Sequence, residues 1–322
     1  MSLDAIITFA ITYGIPAIIT IVGLTTPILL AGLGELVAEK SGVLNLGVEG
    51  MMLVGAISGF GVTVITGSPW LGILGAAAGG GLASMLFAVL VLQLNSNQVA
   101  TGLALTIFGT GLSSLLGLSF TGRIIAPFLS AFPASVAKDP VLKLLFGYSP
   151  IVYFALIMVP VVYWFLKYTR AGLILRAVGE NDHSAHSIGY SVVAVRYAAI
   201  AFGGAMAGIG GAYFSMVITP MWAEKMTAGR GWIALALVVF AGWRTGRLLA
   251  GAYFFGFLMW LELFAKANGF GTSLPFLQSI PSQFWAAMPY LMTVIALSFI
   301  SSRGTAGSNA PACLGKPFLP ST

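Results

Sequence analysis

The stretch EKSGVLNLGVEGMM, Glu39 to Met52, brings two acids, a lysine and an asparagine together in a chain otherwise poor in polar groups. Two kinds of chemistry could use them. The first is phosphate binding: Gly34 followed by ELVAEKS approximates the cradle pattern G-x-x-x-x-G-K-[ST], with Lys40 and Ser41 in place. That pattern needs glycine at position 39 so that successive N–H groups wrap the anion, and Glu39 would set a carboxylate against it. Phosphate cradling is excluded. The second is solute handling. In a helix, Asn45 and Glu49 at i, i+4 share a face with Met52. A charged side chain inside the apolar zone costs about 2.5–3.5 kcal/mol, so Glu49 needs a task or a partner. It either faces a solute path or, as a buried clamp, ties down backbone N–H groups. Gly42, Gly47 and Gly50 suit the same stretch to a discontinuous helix whose freed backbone groups face a path.

The elements that position these residues must lie in lipid. Of 322 residues 58% are hydrophobic and 7% charged, against about 25% charged in a soluble domain. A soluble fold of this composition would expose apolar patches far larger than monomers tolerate. The 41 glycines fit close helix packing in a membrane. The net charge of +6 reads as loop charge facing anionic lipid. No basic run or basic-aromatic patch points to nucleic acid. Cys313 is the only cysteine, so no intrachain disulfide forms, and no basic region precedes the first apolar segment as a cleavable signal requires.

A helix needs about 20 residues to cross roughly 30 Å of hydrocarbon. Apolar stretches of that order lie near 5–34, 48–66, 69–92, 98–120, 150–168, 195–219, 231–243, 247–265 and 284–301. The first is long enough to tilt or to break at Pro27, and the seventh is too short for a full span. The expectation is an all-α, polytopic integral membrane protein of about 8–10 transmembrane helices. Residues 1–302 form the membrane domain and 303–322 a Ser-, Pro- and Gly-rich tail, expected to be poorly ordered. With the 167–196 connection in the cytoplasm, Lys40, Lys167, Arg170, Arg176, Arg196, Arg244, Arg247, Arg303 and Lys316 lie inside. Arg123, Lys138, Lys143, Lys225, Arg230 and Lys266 then lie outside, the bias that the positive-inside rule asks for. The C-terminus is inside, and nine spans would put the N-terminus outside. GILGAAAGGGLASM and FGGAMAGIGGAYFSM are similar glycine-rich faces, a hint of two packed halves.

Other polar islands admit bland and functional readings. In RAGLILRAVGENDHSAHSIGYSVVAVRY, Asn181 or Asp182 caps a two-turn helix that Gly189 stops. Too short to span, it lies along the cytoplasmic face, where small residues Ala185 and Ser187 would be exposed for docking to another protein. His183 and His186 at i, i+3 lack a third ligand and read as solvated loop histidines rather than a metal site. In QLNSNQ, the amides of Asn95, Asn97 and Gln98 match sugar hydroxyls or nucleobase edges. Capping of the helix start explains Asn97 equally well, which leaves Gln98 as a pathway candidate. In KMTAGRGWIALALVVFAGWRTGR, Trp232 and Trp243 read as interfacial anchors and Arg230 as a headgroup contact. Glu262 pairs with Lys266 at i+4.

Together, LLAGLGELVAEKSGVLNLGVEGMMLVGA, RAVGENDHSAHSIGYSV with FGGAMAGIGGAYFS, MTAGRGWIALALVVFAGW and APACLGKPF resemble permease subunits of bacterial ABC importers. The superfamily is that of branched-chain amino acids and simple sugars, and the wording EKSGVLNLGVEG is most similar to the shorter permease of nucleoside importers with basic-membrane-protein-type lipoproteins. The resemblance implies a multi-pass protein of the bacterial cytoplasmic (inner) membrane without catalytic residues, metal or cofactor. Its partners would be a second related permease, cytoplasmic ATP-binding subunits that hydrolyse ATP, and an extracytoplasmic substrate-binding lipoprotein. The 180–189 helix then corresponds to the coupling helix, with Glu180, Asn181, Ala185 and Gly189 on motif positions, while Asn45, Glu49 and Gln98 are the candidate pathway residues. Substrate is a nucleoside or, alternatively, a simple sugar of the ribose type. The sequence departs from the family at Asp182 and Thr245, where relatives carry proline. A secondary transporter would bury several ionisable groups in its spans, and an intramembrane protease would need a nucleophile–base pair there. Neither is evident in the sequence.

Overall fold

The computed structural model describes residues 14–128, 131–132, 139–268, 281–302 and 310–319. Positions 5–13 of the expected first span, and Lys138 and Arg303, lie outside the described residues. The helices are α1 (Ile15–Lys40), α2 (Val48–Thr66), α3 (Pro69–Ala88), α4 (Gln98–Gly117), α5 (Pro140–Phe146) and α6 (Pro150–Tyr168). Then come α7 (Arg170–Glu180), α8 (Asp182–Ser187), α9 (Val192–Tyr213), α10 (Arg230–Phe240), α11 (Thr245–Asn268) and α12 (Ser282–Ser302). The π-helical turns Val89–Gln93 and Phe214–Ile218 extend α3 and α9. Among the described residues there is no β-strand, only an isolated bridge between Ile124 and Met221. Among the described residues seven helices, α1 to α4, α6, α9 and α11, are long and apolar enough to cross a bilayer. The chain is thus an all-α, polytopic membrane protein. With 11 residues, α10 is the short element that its sequence implied.

One feature of α1 differs from expectation, and another decides between the alternatives of tilting and breaking. The helix does not stop near residue 34 but runs through Glu35 and Glu39 to Lys40, because both acids are buried and Leu36, Val37 and Ala38 continue the buried face. Nor does it break at Pro27. The carbonyl that proline leaves without a donor belongs to Gly23, and in the same turns the Thr25 and Thr26 hydroxyls bond to the carbonyls of Ile21 and Val22 at 2.7 and 2.8 Å.

The two glycine-rich stretches meet each other. A Cβ on Gly80 of α3 would stand 2.2 Å from the Gly204 carbonyl oxygen of α9, and one on Gly208 would stand 2.2 Å from that of Ala76. On the same side of α9, a Cβ on Gly55 of α2 would meet Gly208 Cα at 2.2 Å. Small residues therefore bring three backbones into contact, the usual device of helix association in lipid. This seam fixes the level at which α2 begins.

Helix ends gather by charge. The C-terminal ends of α1 and α6, together with α7, α8 and the start of α11, share one face that carries Lys40, Lys167, Arg170, Arg176, Arg244 and Arg247. By the positive-inside rule this is the cytoplasmic face, so α1 starts at the outer face.

The seam predicts unequal costs for identical substitutions. Gly211→Ala would drive its Cβ to 1.8 Å from the Met52 carbonyl oxygen, whereas nothing lies within 4 Å of the Cβ position at Gly81. In detergent, Gly211→Ala should lower the thermal midpoint. Gly81→Ala should leave it unchanged or raise it, since alanine is favoured over helical glycine by about 1 kcal/mol. Equal effects would contradict the seam.

Candidate functional site

The opening polar stretch forms the turn between α1 and α2. Gly42, at φ 92°, reverses the chain, which then climbs back into the layer before α2 starts at Val48. Asn45 precedes α2, so it does not share a helical face with Glu49. Its Oδ1 accepts from the Gly47 N–H at 2.9 Å, its amide lies 3.4 Å from the Met51 sulfur, and its N–H donates to Glu35 Oε1 at 3.1 Å. Gln98 Oε1 accepts from the Leu44 N–H at 2.8 Å, and the Thr106 hydroxyl donates to the Leu46 carbonyl at 3.1 Å. Thr106 lies about 12 Å further along α4 than Gln98. The turn therefore carries Glu49 into the membrane interior.

There the Glu49 carboxylate meets the beginning of α10. Its Oε1 accepts from the Thr227 hydroxyl and, at 2.7 Å, from the Gly229 N–H; its Oε2 accepts from the Gly231 N–H at 2.7 Å. The first N–H groups of α10 have no side-chain cap of their own, and Gly229 approaches them in the left-handed conformation at φ 78°. A carboxylate from another helix thus serves as the cap and sits at the positive end of the helix dipole. Placing the charge in lipid costs about 2.5–3.5 kcal/mol. Three hydrogen bonds to a charged group, at about 1.5–3 kcal/mol each, outweigh that cost. The close fit also requires Gly231, because a Cβ there would lie 2.7 Å from the Glu49 backbone.

At about 16 Å, α10 reaches only half-way through the hydrocarbon. The chain is still level with the outer loop at Pro220, whose carbonyl accepts from Ile125, and descends to Gly229 before α10 continues towards the cytoplasm. At its far end Trp243 donates its indole N–H to Glu39 Oε2. Trp243 is accordingly buried, and Trp232, though half exposed, lies in the first turn of α10 inside the layer, so neither is an interfacial anchor. Arg230 also departs from expectation. Since α10 starts inside the layer, its guanidinium is remote from headgroups, and it lies 4.8 Å over the Phe214 ring and bonds to the Met226 and Thr227 carbonyls.

A second polar cluster surrounds α8. Asn181 caps this helix by accepting from the Ser184 N–H at 2.9 Å, and Gly189 leaves it at φ 94°. Ser187 is exposed, but Ala185 is buried against Val178 and Val192, because the inner side of so short a helix must close on α7 and α9. Asp182 turns inward and pairs with Arg196 at 3.1 Å. Arg196 is fully buried; it also donates Nε to the Ser41 carbonyl at 3.2 Å and Nη1 to that of Lys316 at 3.4 Å.

Residues 310–319 of the tail are not loose. The Cys313 N–H donates to the Gly179 carbonyl at 2.9 Å and the Gly315 N–H to that of Gly42 at 3.1 Å. The Gln98 amide reaches the Lys316 carbonyl at 3.4 Å. The Phe318 ring stands 5.6 and 5.5 Å from His183 and His186. Burial pushes the Cys313 thiol up from its ordinary value, which keeps it a poor nucleophile.

Among the described residues no group of three or more His, Cys, Asp or Glu is placed to hold a metal ion. Asn97 caps α4 by accepting from the Ala100 N–H at 3.0 Å, and Lys266 pairs with Glu262 at 2.7 Å, as their spacing implied. Sequence reasoning missed Glu35, Thr227 and Arg196 as anchors. A signal existed for Glu35, whose i, i+4 spacing to Glu39 spans apolar residues that continue α1. None existed for the other two.

The family described as "Branched-chain amino acid transport system / permease component" matches residues 17–297. A protein of Haloferax volcanii named "Putative glucose ABC transporter permease protein TsgC13" is 43% identical over 290 residues, 85% of this chain and 88% of that relative. The guanosine ABC transporter permease protein NupQ of Bacillus subtilis is 30% identical over 307 residues, 91% of this chain and 93% of its own. The nucleoside ABC transporter permease protein NupC of Lactococcus lactis is 30% identical over 300 residues, 88% of this chain and 91% of its own.

The clamp can be probed from its donor side. Thr227→Val keeps the shape but removes a hydrogen bond to a carboxylate, so stability should fall by about 1.5–3 kcal/mol, with Thr227→Ser close to wild type. A valine variant whose thermal midpoint equals that of wild type would contradict the assignment.

Proposed function

The chain belongs to the family of permease components of branched-chain amino acid transport systems and is an ABC transporter permease of the inner membrane; on that premise we propose that it forms half of the pathway of a nucleoside importer. The observation that carries this reading is the charge balance inside the layer. The Glu49 carboxylate is met by Thr227 and two N–H groups of α10, and Arg230 at the start of α10 carries the opposite charge and bonds to the Met226 and Thr227 carbonyls, so the junction of α2 and α10 has no net charge. Such a path suits a neutral molecule rich in hydroxyls and amides. Relatives named for guanosine and nucleosides favour a nucleoside. A second reading, a simple sugar, is favoured by the 43% identity to the relative named for glucose.

In this reading Asn45, Glu49 and Gln98 shape the pathway by fixing the ends of α2 and α10. The partners are a second related permease, cytoplasmic subunits that bind and hydrolyse ATP, and an extracytoplasmic binding lipoprotein. The coupling element is α8 with its flanks: Ala185 seats it, Asn181 and Gly189 end it, and Glu180 joins it to α7 and the tail. Ser187 and Ile188, the latter 71% exposed, are the side chains that meet the ATP-binding subunit. No covalent chemistry belongs to this chain. Solute moves because ATP closure shifts the permease pair between two states with different affinity for it.

Calorimetric titration of the partner lipoprotein separates the two substrates. Binding of nucleosides without glucose is expected; binding of glucose alone would establish the sugar reading. Coupling is tested by Ile188→Glu, which should abolish ATP-dependent uptake by the reconstituted complex while the two permeases still co-purify. Normal uptake would remove α8 from the coupling role, and ATP-independent uptake by the permease alone would overturn the importer assignment.

A further inference from the structure

Five cations converge on a cleft at the cytoplasmic face. It measures about 780 Å³ and lies between the C-terminal ends of α1 and α6, the middle of α7 and the turn into α11. Lys40, Lys167, Arg176, Arg244 and Arg247 line it. Arg176 and Arg244 act on Lys40 as like charges, against Glu180 and the buried Glu39 as opposite ones. Among the described residues Arg176, Arg244 and Arg247 form no ion pair. The first turn of α11, which contains no acid, adds its N–H groups beside Thr245 and Gly246. Cations of one sign held this close repel, and an anion between them relieves the repulsion.

Two further observations identify the anion's source. The cleft opens beside the lipid-facing side of α6, where Tyr163, Trp164 and Tyr168 are exposed at 45%, 59% and 65%. Lys167 Nζ bonds to the Tyr163 hydroxyl at 2.8 Å and lies 5.2 Å from the centroids of the Tyr163 and Tyr168 rings. An exposed aromatic and basic belt of this kind marks headgroup level. Next to it, on the other flank of α6, an apolar cleft of about 270 Å³ runs between Val37, Val162, Phe165, Leu175 and Phe202. Both clefts are bounded by α1, α6 and α7, through different residues: Val37 lies one turn before Lys40 on α1, and Leu175 adjoins Arg176 on α7.

We propose that the cationic cleft binds the phosphate headgroup of an anionic phospholipid, one acyl chain of which lies against α6. The guanidinium groups of Arg176, Arg244 and Arg247 suit bidentate contact with phosphate oxygens, and Lys40 and Lys167 add point charge. Bound there, the lipid joins α7, which leads into α8, to the turn that ends α10. The proposal rests on the membrane placement of the helices and not on the identity of the solute.

Native mass spectrometry of the full-length permease, delipidated in detergent and offered cardiolipin, phosphatidylglycerol or phosphatidylcholine, tests it. Anionic lipids should be retained in preference to phosphatidylcholine. The combined variant Arg176→Gln, Arg244→Gln, Arg247→Gln should bind them roughly 100-fold more weakly, at about 1 kcal/mol per cation. The corresponding Arg→Lys variant, folded and still cationic, should retain most of the binding. Equal retention of phosphatidylcholine, or unchanged binding by the Gln variant, would overturn the proposal. Full displacement of the lipid by millimolar inorganic phosphate would overturn it in favour of a free anion. A Gln variant that keeps its lipid but no longer co-purifies with the ATP-binding subunit would overturn it in favour of a protein contact.

Discussion

A carboxylate inside a bilayer has to be met by donors, and much of the cytoplasmic half of this permease is arranged around that requirement. Glu49 takes its donors from Thr227, Gly229 and Gly231, and in doing so caps a half-length helix that has no cap of its own. At the other end of that helix, Trp243 is held by Glu39. Both acids flank the same turn, residues 41–47. The break between α1 and α2 and the whole of α10 are thus tied into one unit, and two sequence blocks about 180 residues apart become one piece of structure.

The same turn is bonded to the cytoplasmic surface. Arg196 reaches the Ser41 carbonyl with one nitrogen and Asp182, at the start of α8, with another. Hydrogen bonds therefore run from α8 through Arg196 and the turn to the neighbourhood of Glu49 and α10. The tail adds a strap, since Gly315 bonds to Gly42 and Cys313 to Gly179 while Phe318 lies on the histidines of α8. A displacement of α8 by a partner would meet this linked set rather than a single contact.

The membrane helices were legible because their rule is simple. About 20 apolar residues make a span, and α2 and α6 fall where apolar length put them, Val48–Thr66 and Pro150–Tyr168. The end of α1 was not legible by that rule, which stops a span at its first acid and so assigned Glu35 and Glu39 to a loop. The polarity around Glu49 was legible, as was the choice between path and clamp that it posed. What decided the geometry was its donors on a loop far along the chain, and no spacing encodes those. The burial of Ala185 and of Arg196 likewise depends on which side of α8 and α9 closes on the rest of the molecule. A helix of six residues carries too little periodicity to show it.

The capping of α10 by Glu49 is tested most directly by amide hydrogen exchange at Gly229 and Gly231. In the wild-type permease these amides should exchange slowly, at rates comparable with the interior of α10. Glu49→Gln keeps the volume but turns one acceptor into a donor, and both amides should then exchange at least tenfold faster while α2 keeps its protection. Unchanged exchange at Gly229 and Gly231 in that variant would contradict the account.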